Sequence, residues 1–187
     1  MARTLQIIAN EGGDALHNGS LTKDFINDIK QHGGIMTEED MQNYQPKWQK
    51  PVQAKLYQNH TLYASPLPGS GMILAFILNI LSDFLDLKNP NSITTNQRIV
   101  ESFKFGYAIR TEFGDPDYTD FTGLLENLTS VDYIDSIRSR IFDNQTFQDP
   151  SHYGAKNDLT EDHGTSHISV LSPEGDAVSV TSTINFM

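Results

Sequence analysis

Two alternating stretches near the C-terminal end of the chain concentrate the side chains that could do chemistry. Residues 166–171 and 177–185 alternate between polar and apolar types, a pattern typical of half-buried strands. Residues 172–176, Ser-Pro-Glu-Gly-Asp, have the composition of a turn. The sequence therefore predicts an antiparallel hairpin that carries serine, threonine and histidine side chains.

The spacing of this hairpin brings Thr165 to a second hydroxyl. Counted back from the turn, Thr165 falls opposite Ser182 or Thr183, depending on whether Gly175 forms a bulge. Opposed residues of an antiparallel pair have Cβ atoms about 4.5–5.5 Å apart. We therefore expect hydroxyl groups to meet at one end of the hairpin.

A threonine in this position is a candidate nucleophile if a base activates it. The α-amine of Thr165 itself becomes such a base once the Gly164–Thr165 bond is cut. A free α-amine titrates near about 7.7–8.0, so a sizeable fraction is neutral at physiological pH. Gly164 lacks a Cβ, which lets the backbone bend for attack on its carbonyl. Glycine–threonine pairs also open ordinary strands, so the pattern alone leaves both interpretations open.

Residues 162–170 and 177–185 together resemble the processing site of γ-glutamyltranspeptidases. Further stretches resemble the same family, in its order and over essentially the whole chain: residues 12–19, 33–40, 65–71 and 110–116. The stretch around Thr165 is the most specific part of the resemblance.

The resemblance implies a fold and a domain organisation. It implies an α/β (α+β) fold, part of the four-layer αββα sandwich of N-terminal-nucleophile hydrolases, with antiparallel strands. Residues 1–164 would be the C-terminal part of the large-subunit region and residues 165–187 the start of the small-subunit region, together in one structural domain. The residues by themselves indicate only mixed α and β with a C-terminal antiparallel pair.

The resemblance also implies an activity. Such enzymes cut themselves before a threonine, here between Gly164 and Thr165, and then use that threonine to take the γ-glutamyl group of glutathione or its conjugates. Water or an amino acid or peptide receives the group, and no cofactor or metal is implied. Thr183 matches the threonine that hydrogen-bonds the nucleophile, and Asn185 matches an asparagine that contacts the substrate.

Several parts of the family's site have no counterpart in these 187 residues. The arginine that holds the substrate α-carboxylate would precede Met1, while the acidic residues, the serine pair and the glycine-rich oxyanion loop would follow Met187. We therefore expect a fragment that needs the remainder of the large and small subunits for turnover. The alternative is a non-catalytic truncated homologue or a binding protein.

Two other kinds of site are weaker interpretations of the same stretch. His163 and His167 have the spacing of zinc ligands on a helix, with Asp162 as a third donor, but Gly164 and the strand pattern disfavour a helix there. His167 is instead predicted to support the site from a strand. Ser166 lacks the Gly-x-Ser-x-Gly surroundings of a hydrolase nucleophile.

Composition excludes some partners and suggests a compartment. Acidic residues outnumber basic ones 24 to 13, for a formal net charge of −11, which argues against nucleic acid or anionic membranes as partners. No cysteine occurs, which excludes disulfides and thiolate chemistry, and no secretory signal is recognised at the start of the chain. Four sites match the N-glycosylation pattern and favour a secretory route to the cell surface or exterior: Asn18, Asn59, Asn127 and Asn144.

The remaining pattern predicts the elements that must position this site. A capping box opens a short helix at Thr37, and residues 52–57 and 61–64 form a hairpin. The glycine-rich turn at residues 66–71 either lets the apolar helix after it pack closely or holds an anion. A long helix spans residues 96–113, with a broad apolar face of Ile99, Phe103, Tyr107 and residues 109–113, and a second helical stripe follows Ser130. Residues 142–162 are polar and are predicted to be an exposed loop.

Overall fold

The computed structural model describes residues 1–56, 60–86, 88–156 and 165–183. It has mixed α and β structure with antiparallel strands, which confirms the predicted class. The described elements are α1 Ala2–Glu11, α2 Asp14–His17, α3 Thr22–Gln31, α4 Glu38–Asn43, β1 Val52–Lys55, β2 Thr61–Ala64, α5 Gly71–Leu81, α6 Ile93–Arg110, α7 Thr122–Thr129, α8 Val131–Arg138, α9 Pro150–Tyr153, β3 Thr165–Leu171 and β4 Ala177–Thr183. Within these described stretches, no helix is long and apolar enough to cross a membrane.

Residues 1–49 form one compact unit and residues 50–187 another. This division does not test the predicted boundary at residues 164 and 165, because that boundary concerns a covalent cut. In the first unit, α1 to α4 bury a small set of side chains: Ala15, Thr22, Ile26 and Met41. The capping box at the start of α4 is confirmed, since Thr37 N–H donates to Asp40 Oδ2 at 2.8 Å and Asp40 N–H donates to Thr37 Oγ1 at 3.2 Å.

The second unit is built around the apolar helix α5. Its neighbour α6 approaches closely at Gly106, where an added Cβ would lie 2.5 Å from Ile77 Cδ1. Only a residue without a side chain fits that contact. Helices α5 to α9 share one core: Ile73, Phe76, Ile77, Ile80, Phe105, Ala108, Ile109, Leu128, Ile134, Ile137, Ile141 and Tyr153.

The glycine-rich turn before α5 serves close packing. A Cβ on Gly71 would lie 2.1 Å from the Ser65 carbonyl oxygen and 2.7 Å from Ala64 Cβ. The residue must therefore be glycine for the end of β2 and the start of α5 to meet. The predicted β1–β2 hairpin is also present, with Val52 opposite Ala64 and Lys55 opposite Thr61.

Helix α6 buries only part of the predicted apolar face, since Ile109 is buried as predicted. Phe103 and Tyr107, assigned to the apolar face, are 46% and 53% exposed, whereas Glu101 is 1% exposed. The Glu101 carboxylate tolerates burial because it accepts hydrogen bonds from Thr146 Oγ1 at 2.6 Å and Tyr153 Oη at 2.8 Å. Lys104 Nζ donates to the same carboxylate at 3.1 Å.

The segment after α8 was predicted to be an exposed loop; residues 142–146 and 148–151 are exposed, but the prediction is wrong for the partly buried Phe147 and His152 and the buried Tyr153. Tyr153 in the short helix α9 is buried and packs edge-on against Phe105, with ring centroids 5.0 Å apart. The Phe147 and His152 rings stack with centroids 3.6 Å apart. The segment is polar in sequence, yet its aromatic residues and the partners of Glu101 tie it to α6. Residues 157–162 lie outside the described part of the chain.

Candidate active site

The β3–β4 hairpin owes its register to the turn between its strands. Gly175 N–H donates to the Ser172 carbonyl oxygen at 3.1 Å, and Ser172 N–H donates to the Asp176 carbonyl oxygen at 2.8 Å. Gly175 has a φ of +95°, which glycine adopts without steric cost. The loop Pro173–Glu174–Gly175 is thus the three-residue type, a turn followed by a glycine bulge.

This turn resolves the alternative left open by the sequence. Leu171 pairs with Ala177, and continuous pairing from there places Thr165 opposite Thr183. The Thr165 hydroxyl donates a hydrogen bond to Thr183 Oγ1 at 3.1 Å. The expected meeting of two hydroxyls at the end of the hairpin is present, and Ser182 lies opposite Ser166 instead.

One face of the hairpin is polar along its length. Residues two apart on a strand share a face, so Thr165, His167 and Ser169 line up across from Thr183, Thr181 and Ser179. The opposite face carries the apolar residues Ile168, Val170, Val178 and Val180. Every residue of both strands is exposed. The nucleophile candidate therefore lies on the polar face of the hairpin.

Hydrogen bonds connect the polar side chains beside the threonine pair. The His167 ring bonds Thr181 Oγ1 through Nδ1 at 2.7 Å and Ser169 Oγ through Nε2 at 3.0 Å. Ser169 Oγ and Ser179 Oγ lie 2.7 Å apart. We call these four residues, His167, Ser169, Ser179 and Thr181, the polar ladder.

The polar ladder was only partly foreseen. His167 was predicted to support the site from a strand, but Ser169, Ser179 and Thr181 were not singled out. The signal was present in the alternation, since all four occupy odd-numbered positions like Thr165. Once Thr165 is paired with Thr183, every odd-numbered residue of both strands must lie on the same face.

The arrangement can hold a nucleophilic hydroxyl for reaction. Thr183 can accept the hydrogen bond of Thr165 and, because a hydroxyl is also a donor, return one when Thr165 loses its proton. The base in the predicted chemistry is the α-amine of Thr165. Gly164, on the other side of the predicted cleavage site, and Asn185, the predicted substrate contact, both lie outside the described residues.

Ser166, Asp162 and His163 are the other candidate residues of this stretch. Ser166 lies on the face opposite Thr165. Asp162 and His163, the other members of the zinc alternative, fall outside the described residues. Among residues that are described, no group of three or more histidine, aspartate or glutamate side chains is arranged to hold a metal ion.

The glycosylation candidates occupy different local structures. Asn18 is exposed at the end of α2, and Asn144 is exposed between α8 and α9. Asn127 is exposed but lies within helix α7. Asn59 lies outside the described residues.

Comparison with known proteins assigns the family. The family model described as Gamma-glutamyltranspeptidase matches residues 1–187, the whole chain. The chain belongs to the γ-glutamyltranspeptidase family. This confirms the resemblance inferred from the residues around Thr165 and from the stretches before it.

Two curated relatives of this γ-glutamyltranspeptidase-family chain show how much of a longer protein it spans. It is 44% identical over 191 residues to Scoloptoxin SSD14 of Scolopendra dehaani, covering all of this chain and 33% of that protein. It is 36% identical over 186 residues to Glutathione hydrolase 2 of Arabidopsis thaliana, covering 99% of this chain and 32% of that protein. The chain thus spans about a third of the length of these relatives.

Solved structures of γ-glutamyltranspeptidases share the fold. The enzyme from Pseudomonas nitroreducens, complexed with L-DON, matches with a TM-score of 0.64 and 31% identity, over 80% of this chain and 45% of that one. The Helicobacter pylori enzyme matches with a TM-score of 0.67 and 25% identity, over 86% of this chain and 47% of that one. The mixed α and β fold with antiparallel strands is therefore that of the family.

Proposed function

We propose that this chain is the central segment of a longer N-terminal-nucleophile enzyme that cleaves itself before Thr165 and then transfers γ-glutamyl groups. The observation that carries the proposal is the 3.1 Å hydrogen bond between the Thr165 and Thr183 hydroxyls at the start of β3. The family match covers both residues. Printed names such as Glutathione hydrolase 2 support glutathione or a related γ-glutamyl compound as the donor.

Self-cleavage requires only groups next to the bond. The Thr165 hydroxyl attacks the carbonyl carbon of Gly164, the C–N bond breaks, and the resulting ester is hydrolysed by water. The proton of the hydroxyl ends on the released nitrogen, which becomes the α-amine of Thr165. Thr183, bonded to the attacking oxygen, holds it in one orientation.

Turnover reuses the same oxygen with the new amine as its base. The amine takes the Thr165 proton while Oγ1 attacks the γ-carbonyl carbon of the donor, and the proton passes to the departing amine. A γ-glutamyl ester on Thr165 remains. Water or the amine of an amino acid or peptide then attacks this ester, returning the proton and freeing the hydroxyl. We propose that Asn185 contacts the glutamyl end of the donor and that the rest of both subunits completes its binding site.

Self-cleavage of the longer polypeptide tests the proposal directly. We expect two bands on a denaturing gel, with a small-subunit band whose mass begins at Thr165, and a single band for Thr165→Ala. Ser166→Ala is the matched control, because Ser166 points to the opposite face of the same strand. The cleaved protein should release the amine of a γ-glutamyl anilide.

Two results would contradict the proposal. A single uncut band that Thr165→Ala leaves unchanged rules out self-processing and favours the non-catalytic homologue. A protein that turns over the anilide while Thr165 remains amide-linked to Gly164 rules out the terminal amine as base.

We also propose a secretory location, at the cell surface or outside the cell. The exposed positions of Asn18, Asn127 and Asn144 are compatible with glycan attachment, and their sequences match the acceptor pattern.

A further inference from the structure

The polar ladder begins two residues along each strand from the Thr165–Thr183 pair. His167 follows Thr165 by two residues on β3, and Thr181 precedes Thr183 by two residues on β4. With a rise of about 3.4 Å per residue, the two cross-strand pairs are roughly 7 Å apart on the same face. The His167–Thr181 contact is thus the nearest side-chain link behind Thr165 on this face.

His167 uses both ring nitrogens in this link. Nδ1 reaches across the hairpin to Thr181 at 2.7 Å, and Nε2 reaches along its own strand to Ser169 at 3.0 Å. A hydroxyl can donate or accept, so each nitrogen finds a partner in either tautomer. A ring held at two points on two strands has little rotamer freedom.

Hydrogen bonds between side chains join the two strands on this face of the hairpin. A two-stranded hairpin by itself is marginally stable in water. The cross-strand bonds of His167 with Thr181 and of Ser169 with Ser179 therefore restrict both the side chains and the spacing of the strands.

We propose that His167 is a positioning residue for Thr165. It acts through Thr181, by clamping β3 to β4 directly behind the Thr165–Thr183 pair, and it contacts neither the reacting oxygen nor the substrate. This inference rests on the proposed function, since it assigns His167 a part in that reaction. Displacing a reacting group by about 1 Å can lower a rate by about 100-fold, so such a clamp has a measurable effect.

The test uses the longer polypeptide and a γ-glutamyl anilide as substrate. We expect His167→Ala to lower kcat by about 10- to 100-fold and to leave KM within about 2-fold, since His167 does not bind the substrate. Self-cleavage should slow in parallel. Ile168→Val, on the apolar face of the same strand, is the control and should keep both constants.

Two variants of Thr181 separate positioning from a general loss of structure. Thr181→Ser retains the hydroxyl that His167 contacts and should keep near-normal kcat. Thr181→Val has a similar shape without the hydroxyl and should lose as much as His167→Ala. Both single variants remove the His167–Thr181 contact, and His167→Ala also removes the Ser169 contact, so the double variant His167→Ala/Thr181→Val should be no slower than His167→Ala alone.

The outcomes are distinguishable. Normal kcat in His167→Ala, equal activity of Thr181→Ser and Thr181→Val, or losses that follow the unfolded fraction in thermal melts would each overturn the positioning role while leaving the proposed function intact. If the unaltered polypeptide neither cleaves itself nor turns over the anilide, the proposed function fails and this inference fails with it.

Discussion

Two threonine hydroxyls 3.1 Å apart carry the proposed chemistry at the residue scale. In the proposed reaction Thr165 provides the attacking oxygen and, once terminal, the base, whereas Thr183 provides a partner that can both accept and donate. Strand register brings the pair together, since Thr165 lies opposite Thr183 in the antiparallel hairpin. Substitutions at Thr183 should therefore change the reaction more than the fold.

We predict that Thr183→Val slows self-cleavage and lowers kcat by about 5-fold, as expected for a hydrogen bond with a net value near 1 kcal/mol. Valine retains the shape of threonine and its strand preference but removes the oxygen that Thr165 contacts. Thr183→Ser retains the oxygen and is the control. A Thr183→Val protein that cleaves as fast as the unaltered one would show that the bond has no role.

The residue pattern predicted much of this site, but not all of it. Alternation and turn composition narrowed the partner of Thr165 to two neighbouring residues, and the conformation of Gly175 selected Thr183. That register implies the polar ladder, but only His167 of its four residues had been predicted to support the site. The roles of Gly164 and Asn185 stay predictions, as both lie outside the described residues.

Helix α6 shows at the element scale why periodicity misjudged a buried face. The apolar pattern predicted that Phe103 and Tyr107 would be buried, but the helix buries Glu101 instead. Thr146 and Tyr153, more than forty residues later in the chain, donate hydrogen bonds to the Glu101 carboxylate. Local spacing carries no information about such distant partners. For the same reason the polar segment after α8 was predicted to be exposed, although Tyr153 within it is buried.

We predict that Glu101→Gln destabilises the fold by about 1.5–3 kcal/mol at neutral pH, the usual value of hydrogen bonds to a charged group. The carboxylate is 1% exposed and accepts bonds from Lys104, Thr146 and Tyr153, all of which lose a charged acceptor. Thermal unfolding measures the change. Glu126→Gln, an exposed residue on α7, is the control.

The same carboxylate predicts a pH dependence. Burial acts to raise the pKa of Glu101, but the hydrogen bonds from Thr146, Tyr153 and Lys104 and the charge of Lys104 outweigh it, so the pKa lies below its ordinary value of 4.5. A lowered folded-state pKa means that its stabilisation is complete above pH 4.5 and is lost as pH falls through the folded-state pKa. The difference in melting temperature between the unaltered protein and Glu101→Gln should therefore shrink below pH 4.5. A difference that stays constant into the acid range would contradict this assignment.

At the scale of the whole molecule, the chain matches one part of its longer relatives. It aligns with about a third of its curated relatives and with under half of the solved structures it matches. The family and the mixed α and β class were predictable from the sequence because motifs in the family's order extend along all of it. The two compact units, residues 1–49 and 50–187, were not predicted, although Pro46 and Pro51 flank the boundary between them.

We predict that secretory expression of the longer polypeptide attaches a glycan at Asn144, which is exposed in an irregular segment between α8 and α9. Enzymatic deglycosylation should lower the mass of the unaltered protein. Asn144→Gln should abolish the part of that loss that comes from this glycan. Altering Asn144 is preferable to altering Thr146 of the same motif, because the Thr146 hydroxyl bonds Glu101. Asn127→Gln, within helix α7, is the comparison and should change the glycan mass less. An unmodified Asn144 after secretion would contradict the prediction.

The left-handed backbone of Gly175 has a consequence ten residues from where it occurs. A bulky, branched residue there would favour a shorter loop in which Ser172 faces residue 175, and the whole of β4 would slip by one position. The even-numbered residues of β4, Ser182, Val180 and Val178, would then lie on the same face as Thr165. The Thr165 hydroxyl would lose its threonine partner and lie beside a mainly apolar row. A single backbone angle in the turn of the hairpin thus decides whether polar or apolar side chains of β4 lie beside Thr165.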